Sequence, residues 1–337
     1  MVFLPIPILL AAAWIAGAAP ALAQAPALGP NLERFEYPYP VHWFETQAGG
    51  EAVRMAYMDI PPGGASKNLT VVLLHGKNFC GATWGDTAAV LAAHGYRVIV
   101  PDQVGFCKSS KPAGFQYSFQ TLASLTNGLL QQAGAGRVVL VGHSTGGMLA
   151  IRFALAYPDA VARLVLVNPL GLNDTLAEGA PYADVGKLRA EEARTDAASI
   201  KAYELKNYYH GDWRPAYDRW VEMLAGEYQD DGGVVRDAQA RLSDMIETQP
   251  VAHELGRLKP PVSLIIGEAD QTTFRADTAP EAVRGAIKKV PAAADAAMSS
   301  IPRGRLVRLP GLGHAPQVED PGRFDEALLA ELAQSRR

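Results

Sequence analysis

The sequence predicts an α/β fold, in which a mostly parallel eight-stranded sheet is flanked by helices and interrupted by a helical insertion. Six short apolar runs follow one another along the chain, and helical patterns separate most of them. Runs of this kind are typical of strands buried on both faces of a parallel sheet. Residues 169–259 have a helical composition and no convincing strand. Because the alternation resumes after them, we expect one sheet with an insertion.

The individual strands are bounded by turn residues. Residues 41–46 and 52–58 alternate enough to form a leading antiparallel pair, joined through Ala48-Gly49-Gly50, at one edge of the sheet. Residues 61–68 form a Pro- and Gly-rich loop without the spacing of a phosphate-binding loop. The parallel strands are predicted at residues 70–74, 97–100, 138–141, 164–167, 262–266 and 305–309.

The composition is that of a globular protein with a large core. Of the 337 residues, 48% are hydrophobic and 20% are charged, with a net charge of -4. This balance gives no reason to expect a nucleic-acid partner. No internal repeat and no obligate protein partner are evident.

The N-terminus has the pattern of a secretory signal. Residues 1–23 contain no charged side chain, and an apolar stretch is followed by Ala21-Leu22-Ala23, a small-x-small cleavage pattern before Gln24. We therefore predict a signal peptide over residues 1–23 and an exported protein, periplasmic or secreted. Met1-Val2 carries no Lys or Arg, which departs from the usual signal pattern. Because about 20 apolar residues can span a bilayer, an uncleaved N-terminal membrane anchor is the alternative.

One serine lies in a turn suited to a nucleophile. Ser144 is the centre of Gly142-His143-Ser144-Thr145-Gly146, directly after the apolar run 138–141 and before a helical stretch. A G-x-S-x-G turn between strand and helix holds its serine on a strained backbone, and small flanking residues let the two elements approach closely. Ser144 is the candidate nucleophile.

A serine hydroxyl needs a histidine to take its proton and a carboxylate to orient that histidine. Asp270 follows the predicted strand 262–266, and His314 follows the strand 305–309. Glu268 and Asp174 are alternatives to Asp270. The other histidines are assigned to motif positions beside the site, to the surface or to the insertion; they are His42, His75, His94, His143, His210 and His253.

The chain order of serine, acid and histidine resembles that of the α/β-hydrolase superfamily. Residues 71–78 are similar to its His-Gly oxyanion loop, and residues 98–109 are similar to its D-x-x-G-x-G-x-S turn, with Cys107 in place of the second Gly. Asn168-Pro169 is typical of the strand that precedes a cap. The resemblance covers roughly residues 35–332.

This resemblance implies a core, a cap and an oxyanion hole. The core would comprise residues 24–168 and 260–337, and the helical cap residues 169–259. The backbone N–H groups of Thr145 and Lys77 would be the oxyanion donors, with Asn78 as the near alternative to Lys77. In such a fold the loops holding Cys80 and Cys107 follow neighbouring strands, and an exported pair favours a disulfide over two buried free thiols.

Three cap aromatics, Trp213, Tyr217 and Trp220, are spaced at i, i+4 and i+7, which is one face of a helix. One interpretation is packing of the cap against itself and the core. The other is a wall of the substrate pocket, which would favour apolar substrates.

The resemblance implies a serine hydrolase that cleaves carboxylic esters of small to medium apolar or lipid-like substrates through an acyl-enzyme on Ser144. Lactonase, acylglycerol lipase, proline iminopeptidase, carbon-carbon bond hydrolase and cofactor-free haloperoxidase chemistry stay open. The serine argues against epoxide opening and halide displacement, for which relatives place an aspartate in this turn. A non-catalytic small-ligand binding protein is the alternative of another class. No metal or organic cofactor is needed, and the sequence has no motif for one.

Overall fold

The computed structural model describes residues 26–229 and 231–334, so the predicted signal peptide, residues 1–23, lies outside the described part. The eight strands form one sheet in the order β1-β2-β4-β3-β5-β6-β7-β8. The pairs β1/β2 and β2/β4 are antiparallel, and the other five pairs are parallel. The predicted fold class is confirmed.

All eight predicted strands are present, and their bounds lie within a few residues of the predicted ones. The two leading strands form the antiparallel edge, as expected. The strands are β1 (Val41–Ala48), β2 (Glu51–Ile60), β3 (Thr70–Leu74), β4 (Arg97–Pro101), β5 (Val138–His143), β6 (Val161–Val167), β7 (Val262–Gly267) and β8 (Gly304–Leu309).

The helices begin where local signals favour them. Ser118 caps α2, for example, because its hydroxyl accepts a hydrogen bond from the backbone N–H of Thr121 at 3.0 Å. The helices are α1 (Gly85–Ala93), α2 (Phe119–Gln132), α3 (Thr145–Ala156), α4 (Val185–Glu192), α5 (Ala197–Asn207), α6 (Asp218–Glu227), α7 (Val234–Thr248), α8 (Glu281–Arg284), α9 (Val290–Met298), α10 (Pro316–Glu319) and α11 (Pro321–Ala333).

The sheet separates two apolar cores because successive residues of a strand point to opposite faces. Val139 and Val141 of β5 belong to one core, which also contains Phe324 of α11. Val138 and Leu140 belong to the other core, together with side chains of α2 and α3. All six residues of β5 are buried, which explains why this strand reads as a continuous apolar run.

The stretch between β6 and β7 contains α4 to α7, and within its described residues no strand is formed. In this insertion α4 packs on α7, and α5 packs on α6. Glu227, the last residue of α6, forms a buried ion pair with Lys111 of the core, with 3.0 Å between Nζ and Oε1. This pair connects the end of α6 to the core.

The segment that precedes β1 also connects the insertion to the core. The backbone N–H of Leu28 donates to the carbonyl of Gly226 at the end of α6, at 2.9 Å. The Tyr37 hydroxyl donates to Oδ2 of Asp102, after β4, at 2.6 Å. Over residues 26–334, apart from residue 230, no helix has the length and apolar character needed to cross a membrane.

A disulfide joins Cys80 and Cys107, as expected from the exported cysteine pair. Cys107 has φ of +52°, in the left-handed region that favours glycine. This backbone conformation explains why the α/β-hydrolase superfamily, whose turn residues 98–109 resemble, usually has a glycine at this position. The bond links the loop after β3 to the loop after β4, both near the carboxyl ends of the strands.

Removal of this disulfide should lower the stability of the protein. The bridge closes a loop with a sequence separation of 27 residues. In the chain-entropy model, the Cys80→Ala/Cys107→Ala variant therefore loses roughly 3 to 4 kcal/mol of unfolding free energy. Urea unfolding of the variant and of the oxidised wild type measures the difference. Equal midpoints and equal slopes would contradict this expectation.

Candidate active site

Ser144 lies in a tight turn between β5 and α3. Its φ is +54°, a strained value for a serine, and the residue is buried. The flanking glycines are required by close backbone approaches. A Cβ on Gly142 would lie 2.3 Å from the carbonyl oxygen of Gly146, and a Cβ on Gly146 would lie 2.4 Å from that of Leu74. This turn has the geometry that the G-x-S-x-G spacing predicts.

Three of the candidate site residues form one continuous chain of contacts. The Ser144 hydroxyl lies 3.0 Å from Nε2 of His314. The opposite ring nitrogen, Nδ1, lies 2.7 Å from Oδ2 of Asp270. All three side chains are buried, so these polar groups interact in surroundings of low dielectric constant.

The Asp270 carboxylate is held by donors on both oxygens. Oδ1 accepts from the backbone N–H of Thr272 at 2.7 Å. Oδ2 accepts from the side-chain amide of Asn168 at 2.8 Å, in addition to its contact with His314. The Asn168 oxygen in turn accepts from the backbone N–H of Gly267 at 2.9 Å. Sequence reasoning identified Asn168 only as a residue typical of this strand end and missed its contact with the acid.

The two alternative acids lie in other surroundings. Glu268 pairs with Arg308 at 3.1 Å, on the exposed side of the loop. Asp174 pairs with His253 at 3.0 Å. Neither carboxylate takes part in the contacts of His314, and this geometry favours Asp270 as the acid.

Two further histidines support the loops around Ser144. Nε2 of His143 donates to the carbonyl oxygen of His314 at 2.8 Å, and burial holds the pKa of His143 well below its usual value. Nε2 of His75 accepts from the backbone N–H of Gln103 at 3.1 Å, and burial lowers the pKa of His75 as well. Both rings are therefore neutral near pH 7.

The loop after His75 runs against the candidate nucleophile. A Cβ on Gly76 would lie 2.9 Å from the Cβ of Ser144, so the backbone can pass this closely only with glycine. Lys77 and Asn78, which follow, line the same cavity as Ser144. Thr145 is the first residue of α3, and its N–H therefore has no partner within the helix.

The cavity in front of Ser144 has a volume of about 470 Å³. The insertion supplies much of its lining, and the loop after Asp270 supplies another part. The lining combines aromatic and aliphatic side chains with charged ones. The apolar lining includes Leu170, Leu188, Ile200, Tyr203, Tyr208, Leu224, Tyr228 and Phe274, and the charged lining includes Lys77, Glu191, Glu192, Arg194, Arg275 and Asp277.

The three aromatics predicted to share one helix face, Trp213, Tyr217 and Trp220, do not lie on a single helix. Trp213 precedes the helix, Pro215–Tyr217 forms a 3-10 turn, and α6 begins only at Asp218. A proline fixes its own φ and lacks an N–H, so it begins a new turn and interrupts the assumed helix. Tyr217 is buried and stacks on Tyr209 with 3.9 Å between ring centroids. Trp220 lies against Phe35 of the segment before β1, with 6.5 Å between ring centroids. These aromatics thus pack against both the insertion and the core, whereas other tyrosines line the cavity.

Among the described residues, one group of side chains has donor atoms close enough to hold a metal ion: His75, Asp102 and Cys107. Its donors are occupied by other contacts. The Cys107 sulfur is in the disulfide, and Asp102 accepts from Tyr37 and from the backbone N–H of Gly81 at 2.7 Å. Through these contacts Asp102 connects the turn after β4 to the segment before β1 and to the loop after β3.

Comparison with known families identifies the fold. A family model described as the alpha/beta hydrolase fold matches residues 70–321. The chain belongs to this family. In this α/β hydrolase, Ser144, Asp270 and His314 follow strands β5, β7 and β8 of the matched region.

Relatives of this α/β hydrolase include enzymes of several kinds. It is 48% identical to a probable hydrolytic enzyme from Pseudomonas aeruginosa PAO1 whose crystal structure gives a TM-score of 0.89, and the match covers 91% of this chain and 99% of that one. It is 36% identical over 182 residues to 2-hydroxy-6-oxo-2,4-heptadienoate hydrolase from Pseudomonas putida. That match covers 48% of this chain and 66% of the relative, just under two thirds of its length.

An esterase shares the fold at lower identity. The thermophilic esterase from Thermogutta terrifontis is 22% identical with a TM-score of 0.66, and the match covers 88% of this chain and 100% of the esterase. The family match and the named relatives support a hydrolytic enzyme.

Proposed function

We propose that this protein is a serine esterase that cleaves carboxylic esters of small to medium apolar substrates. The observation that carries the proposal is the chain of contacts from the Ser144 hydroxyl through His314 to Asp270, with distances of 3.0 Å and 2.7 Å. A hydroxyl, an imidazole and a buried carboxylate in this order are the groups that nucleophilic acyl transfer needs.

In the proposed mechanism, Ser144 Oγ attacks the ester carbonyl while Nε2 of His314 takes its proton. The negative oxygen of the tetrahedral intermediate faces the backbone N–H groups of Thr145 and Lys77, with Asn78 as the alternative second donor. Each such donor is worth about 3 kcal/mol. His314 then gives the proton to the leaving alcohol, and water releases the acid from Ser144 by the same steps.

The cavity supports a substrate of limited size. Its volume of about 470 Å³ lies within the range usual for small-molecule sites. The apolar side chains that line it, such as Leu170 and Tyr228, favour aliphatic or aromatic groups. We propose that residues 169–259 act as a cap that supplies this lining.

The test is hydrolysis of a series of p-nitrophenyl esters from acetate to palmitate by the mature protein. We expect turnover with an optimum at short to medium acyl chains, because a chain as long as palmitate exceeds the cavity. Steady-state kcat and KM across the series measure this. If no ester is turned over, and a fluorophosphonate probe does not label the folded protein, the esterase proposal is wrong.

A second candidate substrate is a 2-hydroxy-6-oxo-dienoate, favoured by the relative from Pseudomonas putida. Such a compound carries a carboxylate, and Lys77, Arg194 and Arg275 are cations of the cavity lining. However, Lys77 pairs with Glu192 at 2.9 Å, and Arg275 pairs with Glu191 at 2.7 Å. These pairs leave less positive charge for a substrate, so the neutral ester is the first choice.

We also propose that the enzyme acts outside the cytoplasm, in the periplasm or as a secreted protein. The disulfide between Cys80 and Cys107 supports an oxidising compartment. Mass spectrometry of the exported protein would locate the cleavage after Ala23 or detect an intact N-terminus.

A further inference from the structure

The last turn of α5 contacts the loops that hold the acid and the histidine. The carbonyl of Asn207 accepts from the backbone N–H of Gln271, next to Asp270, at 3.1 Å. The carbonyl of Tyr208 accepts from the backbone N–H of His314 at 2.9 Å, and the two rings stack with 4.5 Å between centroids. A Cβ on Gly313 would lie 1.8 Å from this carbonyl oxygen, so glycine permits the approach.

Glu204 lies in the same turn of α5. It brings this turn close to a third loop of the site, the one that follows His75-Gly76. The Glu204 side chain is fully buried, and the Asn78 side-chain amide lies close enough to its carboxyl to stabilise the charged form. Within residues 26–229 and 231–334, neither carboxyl oxygen has a partner at standard hydrogen-bond geometry. Asn78 belongs to the loop that follows His75-Gly76 and runs against Ser144.

A carboxyl group at this buried position lowers the stability of the folded protein. Burial raises the pKa of Glu204 to about 8, so ionisation is strongly disfavoured in these surroundings. The C-terminal turn of a helix carries partial negative charge, which disfavours an acid further. Leucine at this position would bury apolar surface without either cost. The cost of the acid suggests that its contact with Asn78 has a use.

The neighbouring residue of the same loop makes a second contact with the insertion. The Lys77 ammonium lies 2.9 Å from Oε1 of Glu192, at the end of α4. The Tyr228 hydroxyl donates to Oε2 of Glu192 at 2.8 Å. Burial acts to raise the pKa of Glu192, but Lys77 and the hydrogen bonds to the carboxylate outweigh burial and lower it. Two consecutive loop residues are thus held by two acids of the insertion.

We propose that Glu204 is a positioning residue that acts through Asn78 to fix the loop carrying the second oxyanion donor. The insertion thereby takes part in organising the site, in addition to covering it. This inference rests on the proposed function, because it requires a tetrahedral intermediate on Ser144. The backbone N–H of Lys77 or Asn78 must point at the developing negative oxygen, and a small displacement of the loop misdirects it.

The test compares Glu204→Leu, Glu204→Gln, Asn78→Ala and the double variant Asn78→Ala/Glu204→Leu. The measurements are kcat and KM for p-nitrophenyl butyrate and inhibition by butylboronic acid, which forms a tetrahedral adduct on the serine. A misdirected donor should cost roughly 10- to 100-fold in kcat, less than the loss of a whole donor. KM should change by less than about twofold, since the donor acts in the transition state.

Three results would support the inference together. In Glu204→Leu and Asn78→Ala, the affinity for butylboronic acid falls by about the same factor as kcat. Glu204→Gln keeps most of the wild-type kcat. The kcat of the double variant is no lower than that of the poorer single variant. Lys206→Ala, an exposed position of α5, is the matched control and should behave as wild type. If Glu204→Leu does not fold, Asn78→Ala on the half-buried loop position still gives both readouts.

Unchanged kcat and unchanged boronic acid affinity in the folded Asn78→Ala and Glu204→Leu variants would overturn the inference. Independent effects of the two substitutions, multiplying in the double variant, would overturn it as well. Failure of the proposed function looks different, since wild type and Lys206→Ala would then also be inactive toward the ester and unlabelled by a fluorophosphonate.

Discussion

Replacement of Ser144 by alanine should reduce kcat for p-nitrophenyl butyrate by at least about 10⁴-fold, because no acyl-enzyme can form. The remaining activity comes from substrate binding and the oxyanion donors. The fold should be retained, since the lost hydroxyl contacts the imidazole of His314 and its removal leaves the neighbouring glycines unchanged. Steady-state kinetics measures the loss, and thermal unfolding checks the fold.

A covalent probe distinguishes loss of the nucleophile from indirect damage. A fluorophosphonate should add to wild type at Ser144, as located by peptide mass spectrometry, and should leave Ser144→Ala unlabelled. Ser124→Ala, an exposed serine of α2, is the control and should retain both activity and labelling. A folded Ser144→Ala variant that keeps more than one hundredth of wild-type kcat would show that another group performs the attack.

The sheet could be predicted from the sequence because local patterns determine its strands. Residues 138–141 are apolar without interruption, and the structure buries β5 on both faces. The candidate residues could also be identified, because Ser144, Asp270 and His314 each follow a strand. The carboxyl ends of parallel strands meet at one edge of a sheet, so residues distant in sequence are brought together there.

The insertion was predicted less well because its structure depends on contacts that local patterns do not show. The spacing of Trp213, Tyr217 and Trp220 suggested one helix, but Pro215 begins a separate turn. Three of the helices described in the insertion, α4, α5 and α6, have 8, 11 and 10 residues, and helices this short depend on packing against neighbouring elements.

The sequence also did not predict contacts between residues that lie far apart in the chain. Asn168 donates to Asp270, which is 102 residues away. For Glu204 a signal exists, because it lies between Ile200 and Tyr208 at i−4 and i+4, and all three are buried. An acid in an otherwise apolar helical stripe indicates burial, but only the structure shows Asn78 as the group it faces.

Asp270→Asn should lower kcat by roughly 10³- to 10⁴-fold, which is close to the effect of such a change in other serine triads. The structure gives two reasons. The amide lacks the negative charge that stabilises the protonated ring of His314 during attack. It also cannot satisfy its neighbours, because Thr272 donates to one carboxylate oxygen at 2.7 Å and Asn168 donates to the other at 2.8 Å.

Both orientations of the new amide are unfavourable. With its NH₂ toward Thr272, two donors face each other in a buried site. With its NH₂ toward His314, it opposes the Asn168 amide and favours the ring tautomer with a proton on Nε2, which cannot accept the proton of Ser144. KM should change little, because the aspartate does not contact the substrate in the proposed mechanism. The measurement is kcat and KM from pH 6 to 9, with thermal unfolding to check the fold.

Glu268→Gln is the matched control, since this acid lies two residues away in the same loop and pairs with Arg308 on the exposed side. Its kcat should remain within about twofold of wild type, because substitutions at exposed positions of this kind have small effects. A large loss in Glu268→Gln together with a loss below tenfold in Asp270→Asn would reverse the assignment of the acid. The contacts of Oδ1 and Oδ2 of Asp270 argue for the opposite result, since three donors hold this carboxylate in place against the ring of His314.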